Sequence, residues 1–186
     1  VIGIEAVGEV YTTSKESQLE KGQKVIILMG GFGRDFDGSY QEYALVPDSI
    51  IYPITFDGTW VELASLPETF YTAFGALKAT RLSKGQSLLV RGGTTGVGMA
   101  VLLLGRALGL SVTSTTRQES RVDFLTELGA HTVVLDKDNR LETDKKFDGV
   151  IDMVGTPAVE NSLSHLKDGG IYTFCLLYTS PSPRDR

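Results

Sequence analysis

The residues with chemistry to offer crowd into positions 92–121. Gly92-Gly93-Thr94-Thr95-Gly96-Val97-Gly98 follows an apolar run, Leu88-Leu89-Val90, and precedes a helical stretch from Met99 to Leu108 closed by Gly109. A glycine turn between a strand and a helix is suited to a pyrophosphate. Its oxygens can approach a backbone without side chains, and the helix start offers free N–H groups and the positive end of its dipole. On this reading Gly93 lets the strand turn tightly, Gly96 opens the backbone to the phosphates, and Gly98 lets the helix pack close to the sheet. Thr94, Thr95 and Val97 complete the binding turn. The spacing Gly93-x-x-Gly96-x-Gly98 departs from the plain G-x-G-x-x-G fingerprint, so the flanking strand and helix carry the assignment. The competing reading is a loop that merely needs positive φ angles.

A second β-branched run, Ser111 to Thr116, says which dinucleotide. An NAD site sets Asp or Glu about 20 residues on, at the end of this strand, to hold the ribose 2′-hydroxyl. Here the strand ends Ser114-Thr115-Thr116-Arg117, and no acid occurs before Glu119. The hydroxyls of Thr115 and Thr116 and the guanidinium of Arg117, with Arg121 one helical turn further, suit a 2′-phosphate. Arg meets phosphate as a planar fork with charge-assisted hydrogen bonds. The expected cofactor is NADP(H); the alternative is that Arg117 and Arg121 are a solvated helix start.

Those residues need a βαβ unit to hold them, and the chain around them supplies more of the same. Residues 118–128 read as a helix with apolar Val122, Leu125 and Leu128, closed by Gly129. Thr132 to Leu135 reads as a third strand, residues 137–146 as a charged loop, and Phe147 to Asp152 as a fourth strand. A helix over residues 157–166, a turn at Gly169-Gly170 and a fifth strand, Ile171 to Phe174, follow. Alternating strands and helices predict a doubly wound parallel sheet with right-handed crossovers. Gly155, after the fourth strand, lies at a strand C-terminal end, where ligands bind in such sheets.

The first third has a different grammar. Residues 1–53 are short strands and turns, with strands expected at 24–29 and at 40–46, where Tyr40 and Tyr43 would be packing residues. Residues 33–40 read equally as lining of a substrate cleft or as a plain hairpin. Residues 54–64 cross over with Trp60 buried, and Leu66-Pro67-Glu68 opens a helix through Leu77, Pro67 suiting its first turn. The chain begins at Val1 inside a strand-like pattern, which reads as the start of a piece whose N-terminal strands lie elsewhere, leaving Val25-Ile26-Ile27-Leu28 partly uncovered.

Composition narrows the function class. With 186 residues, net charge −5 and no basic stripe, nothing points to nucleic acid. No apolar run is long enough for a membrane span and no signal-peptide pattern opens the chain. A single Cys excludes an internal disulfide and suits a reducing, cytoplasmic setting. That Cys opens a Pro/Ser-rich stretch, residues 175–186, which resembles the in-frame translation of a sequencing-library adaptor and is set aside from fold reasoning.

Taken together, the ordered motifs resemble the medium-chain dehydrogenase/reductase superfamily in its zinc-free quinone oxidoreductase branch. Gly3-x-Glu5-x-x-Gly8-x-Val10 resembles the signature of its GroES-like domain. Gly22-Gln23-Lys24-Val25 and Gly38-Ser39-Tyr40-Gln41-Glu42-Tyr43 resemble a returning β segment, and Leu66 to Phe74 the entry to the cofactor domain. The glycine turn, Thr115-Thr116-Arg117, Leu128-Gly129-Ala130 and Asp152-Met153-Val154-Gly155 follow in family order. The resemblance implies a partial GroES-like domain over residues 1–65, a Rossmann-type NADP-binding domain over 66–174, and a homodimer in the full-length protein. It implies that Thr72 contacts the nicotinamide end of the cofactor, and that the proton-donating Tyr lies N-terminal to Val1, so no catalytic residue is assigned here. Where zinc relatives carry a His before the signature Glu, this chain has Ile4, and where they place a Cys ligand it has Glu68. A structural zinc needs four close ligands, and no cysteines fall between Val25 and Val46, so no metal is expected. His131 and His165 read as surface or strand-edge residues. The implied activity is hydride transfer from NADPH to a quinone or an α,β-unsaturated carbonyl. An enoyl or other carbonyl reductase, and a non-catalytic NADPH-binding protein, remain the alternatives. The piece by itself is expected to be poorly soluble and inactive, because an open sheet edge at Phe174 invites aggregation.

Overall fold

A computed structural model describes residues 1–175. The chain divides into two compact units, Val1–Tyr71 and Thr72–Arg186, and the division falls inside a helix.

In the first unit, β1 (Glu5–Glu9), β2 (Lys24–Leu28) and β3 (Ile51–Pro53) form an antiparallel sheet in that order. Its core gathers Ile27, Phe32 and Ile50, with Ala6, Phe36, Val46 and Ile51 packed against them. A short helix, α1 (Trp60–Ala64), starts at a reciprocal capping box: the Thr59 hydroxyl accepts from the Glu62 amide, and the Glu62 carboxylate accepts from that of Thr59. Helix α2 (Pro67–Thr80) follows, and the carboxylate of Glu5 accepts the Glu68 amide at 2.8 Å. An anion at a helix start satisfies an orphan donor and suits the dipole.

Several expectations fail in this unit. Residues 40–46 form no strand; Tyr40, Tyr43 and Leu45 are exposed, Leu45 by 95%. A strand needs a face that finds a core, and here only Val46 reaches one; Tyr43 instead packs edge-on against Tyr11, with centroids 5.0 Å apart. Residues 33–40 form no hairpin, only a tight turn in which the Gly33 amide donates to the Phe36 carbonyl. Trp60 is exposed, with the Lys24 ammonium 5.3 Å from its ring centroid, because α1 turns Leu63 inward instead. Of Val25-Ile26-Ile27-Leu28, only Ile26 is partly uncovered; Val25, Ile27 and Leu28 are buried.

The second unit is the expected sheet. β4 (Ser87–Arg91), α3 (Gly96–Ala107), β5 (Ser111–Thr116), α4 (Val122–Leu128), β6 (Thr132–Lys137), β7 (Arg140–Leu141), β8 (Phe147–Asp152), α5 (Val159–Ser164) and β9 (Leu166–Phe174) follow in order. The strands lie β7-β6-β5-β4-β8-β9. All pairs are parallel except β6–β7. The chain winds from β4 outward to β6, then returns to the other side of β4 for β8 and β9, so the switch point lies between β4 and β8. The middle of the sheet is largely apolar: Leu88, Leu89, Val90, Val112, Val150 and Ile151 are fully buried.

Three details depart from the sequence reading. The charged stretch 137–146 contains β7, whose Leu141 is buried with Leu89, Phe147 and Val150. Gly169 and Gly170 lie within β9, not between elements: the β8–β9 register shifts between Phe147 and Gly149, and the glycines absorb that bulge. His165 is buried, its Nδ1 3.2 Å from the Lys145 carbonyl; His131 is exposed, and its Nδ1 accepts the Val112 amide. Residues 176–186, most of the stretch set aside from fold reasoning, lie outside the described residues.

Candidate functional site

The C-terminal ends of β4, β5, β6 and β8 surround two adjoining hollows. The larger, about 390 Å³, is lined by Thr94, Met99, Thr116, Arg117, Gln118, Arg121 and Phe124. The other, about 260 Å³, shares Thr94, Thr116 and Arg117 and adds the ends of β6 and β8 through Asp136, Asn139, Met153 and Val154.

The glycine turn forms the shared wall, with its glycines in somewhat different roles from those expected. Gly92, not Gly93, takes the positive φ of +76°. Gly93 gives clearance: a Cβ there would overlap the Ser114 hydroxyl. Gly98 packs against the turn rather than the sheet, since its Cβ would stand 2.5 Å from the Gly92 carbonyl; Gly105 is the residue that brings α3 onto Val112. Thr95 caps α3, its hydroxyl accepting the Gly98 amide and donating to the Gly92 carbonyl. Gly96 and Val97 form the first turn of α3, where amides have no intrahelical acceptor.

At the end of β5 the two threonines are already engaged. The Thr115 hydroxyl accepts the Gly92 amide, and that of Thr116 accepts the Gln118 amide. They fix the turn and the strand exit. Arg117 and Arg121 are exposed, both line the larger hollow, and neither forms an ion pair among the described residues. No carboxylate lines that hollow. Thr72 sits on α2 and is not among the lining residues; Gly155 is buried just beyond Val154, its φ of +83° held by an amide hydrogen bond to Asp152.

Beneath the cleft lies a polar cluster that sequence reasoning missed. Arg91, the last residue of β4, is wholly buried and pairs with Asp136 at 2.6 Å. Asp152, its register partner on β8, accepts from the Ser162 hydroxyl at 2.6 Å and the Tyr172 phenol at 3.1 Å. Burial, then the Asp152 carboxylate, hold the Tyr172 phenol far above its ordinary pKa, so it stays a donor. The available signal was a charged residue closing each of two apolar strands. Among the described residues no three His, Cys, Asp or Glu side chains come together in a way that could hold a metal, and no helix is long and apolar enough to cross a membrane.

Comparison with known proteins places this cleft in context. Residues 96–181 match the family described as zinc-binding dehydrogenase; the match covers α3 onward and runs through residues 175–181. Quinone oxidoreductase from Mus musculus is 31% identical over 98% of this chain and 56% of its own length. The 2-methylene-furan-3-one reductase of Solanum lycopersicum is 33% identical over 72% of this chain and 34% of its own. Among solved structures, the quinone oxidoreductase from Coxiella burnetii aligns with a TM-score of 0.82 and 27% identity, covering 92% of this chain and 55% of that one. The YhdH protein of E. coli K-12 with bound NADPH shares the fold at a TM-score of 0.79 and 24% identity, over 97% and 59% respectively. The chain spans about half the length of the curated quinone oxidoreductases it matches.

Proposed function

The chain belongs to the medium-chain dehydrogenase/reductase superfamily as a quinone oxidoreductase-like protein, and from that premise we propose that it is an NADP(H)-dependent, zinc-independent oxidoreductase acting on a quinone or an α,β-unsaturated carbonyl. The observation that carries the cofactor choice is the pair Arg117 and Arg121, unpaired among the described residues in a hollow that no carboxylate lines. A guanidinium there meets a 2′-phosphate; an acid in the same place would meet a ribose hydroxyl and repel the phosphate. The Gly96 and Val97 amides at the start of α3 hold the pyrophosphate, while the Thr95 cap takes the Gly98 amide and fixes the turn. Met153 and Val154 line the opposite side, on the segment that Asp152 holds by two amide hydrogen bonds. When bound, the cofactor supplies the hydride, and the chain supplies its placement.

The substrate class rests on the chemistry named for the mouse, Coxiella and tomato relatives. Quinones and enones both accept hydride at carbon while charge gathers on oxygen. Zinc independence rests on Ile4, which cannot ligate a metal, and on the lack of a ligand cluster among the described residues. The test is a pair of titrations of the protein with NADPH and NADH, followed by reduced-nicotinamide fluorescence. NADPH is expected to bind at least about tenfold more tightly, as one charge-assisted contact implies. Equal affinities would refute the assignment. Stoichiometric zinc that survives chelation would refute the metal-free reading.

A further inference from the structure

We propose that Arg91 is the positioning residue of the cofactor cleft, holding three of the strand ends that form its walls. The inference rests on the proposed function only in taking the ligand to be a dinucleotide. Arg91 is the residue before the glycine turn, and its side chain is 0% exposed. Its Nη2 donates to Asp136 Oδ2 at 2.6 Å; its Nη1 donates to Asn161 Oδ1 at 3.0 Å, Ser162 Oγ at 3.1 Å and the Ala158 carbonyl at 3.2 Å. Its own carbonyl accepts the Met153 amide at 3.0 Å. Ser162 extends the chain of contacts to Asp152 Oδ2, while Asp152 Oδ1 accepts the amides of Val154 and Gly155 at 2.7 and 3.0 Å.

The cleft is built from what leaves the sheet at these points. The glycine turn follows Arg91, Asn139 follows Asp136, and Met153 and Val154 follow Asp152. One guanidinium therefore sets the spacing of three walls. Stability alone is a weak reason for such a group: the cost of desolvating a buried ion pair offsets most of its attraction, and well-packed apolar residues do as well. What apolar packing does not give is fixed direction, which a planar fork with several donors does. Charge points the same way. Asp136 lines the cleft, and without a cation its carboxylate would face a ligand that carries phosphates. Lysine keeps the charge but, as a point donor on a flexible stem, does not hold Asp136 and the α5 acceptors together.

The experiment uses the full chain, with NADPH and NADH titrated by fluorescence and melting followed by circular dichroism. Arg91→Lys is expected to weaken both nucleotides about tenfold, and Ser162→Ala, which touches no cleft-lining residue directly, about threefold, with the NADPH-to-NADH ratio kept. Leu77→Ala, a buried residue of α2 outside the cluster, is the reference: it melts lower and binds as the parent does. If Arg91→Lys and Ser162→Ala also melt lower but bind as the parent does, Arg91 is structural only and the inference falls. Should Arg91→Lys not fold, Ser162→Ala decides by the same criterion. A parent that binds neither nucleotide overturns the proposed function and this inference with it, a result distinguishable because it needs no variant.

Discussion

β4 and β8 are pinned together at both ends, and the two pins are built differently. At the C-terminal end, Arg91 and Asp152 are paired in register, fully buried and joined to Asp136, Ser162 and Tyr172. At the N-terminal end, Ser87 and Asp148 bind each other: the Asp148 carboxylate accepts the Ser87 amide at 2.8 Å and its hydroxyl at 2.5 Å, and Lys167 adds an ion pair at 2.9 Å. That second pin is partly open to solvent and lines neither of the two hollows. The same strand pair thus carries a dry, charged cluster where a ligand would bind and a wetter, local clasp where none would. Burying charge is costly, so its concentration at one end marks where geometry matters more than net stability.

The largest way to break this contrast is to crowd the cleft end. Gly98→Ala places a Cβ 2.5 Å from the Gly92 carbonyl, with the Thr95 hydroxyl 2.8 Å away. Neither can yield without moving the phosphate turn, so NADPH affinity is expected to fall by about a hundredfold, read by fluorescence titration. Next is Arg117→Asp, which replaces a phosphate donor by a like charge. It should cost NADPH about thirtyfold, near 2 kcal/mol, while NADH changes several-fold less. A parallel loss of both nucleotides would show that Arg117 serves the pyrophosphate or the base instead.

How much of this was legible followed from how local each cause is. The β4–α3–β5 unit was readable because its strands are largely apolar or β-branched and its helix opens at Thr95; Ser111–Thr116 and Phe147–Asp152 came out with the expected bounds. Arg117 and Arg121 were readable because a strand end and a helical repeat place them. Arg91 was not, because a charge at a strand end is usually solvated, and only the sheet order reveals that Asp136 and Asp152 surround it. Residues 40–46 misled for the converse reason: their apolar content suits a strand, but a strand needs a partner and a core, and exposed Leu45 has neither. The role of Gly98 was misplaced because sequence shows that a side chain is absent, not what its absence makes room for.

At the far end the expected effects are smaller and leave binding untouched. Ser87→Ala removes the hydroxyl that donates to Asp148 and accepts its amide. It should cost about 1 kcal/mol of stability, seen as a lower melting temperature, with NADPH affinity unchanged. A fall in affinity would mean that the two ends of the strand pair are coupled, and the contrast drawn above would fail.

The finest test is the acid behaviour of that same clasp. The Ser87 hydroxyl first, then the Ser87 amide and Lys167, pull the Asp148 carboxyl down to about 2 from its ordinary 3.8. A carboxyl whose pKa is lower in the folded state stabilises above its unfolded value and loses that contribution as pH falls through the folded one. The contribution should therefore be complete above about pH 4 and fade between pH 4 and 2. Because Asp148 is partly exposed, screening reduces it to about 1 kcal/mol or less. Melting the parent beside Asp148→Asn across this range should show the parent's advantage shrinking steadily as pH falls, and salt should diminish it at pH 5. An advantage that stays constant down to pH 2 would mean the side chain matters there only as a hydrogen-bond acceptor of fixed strength, not as a charge.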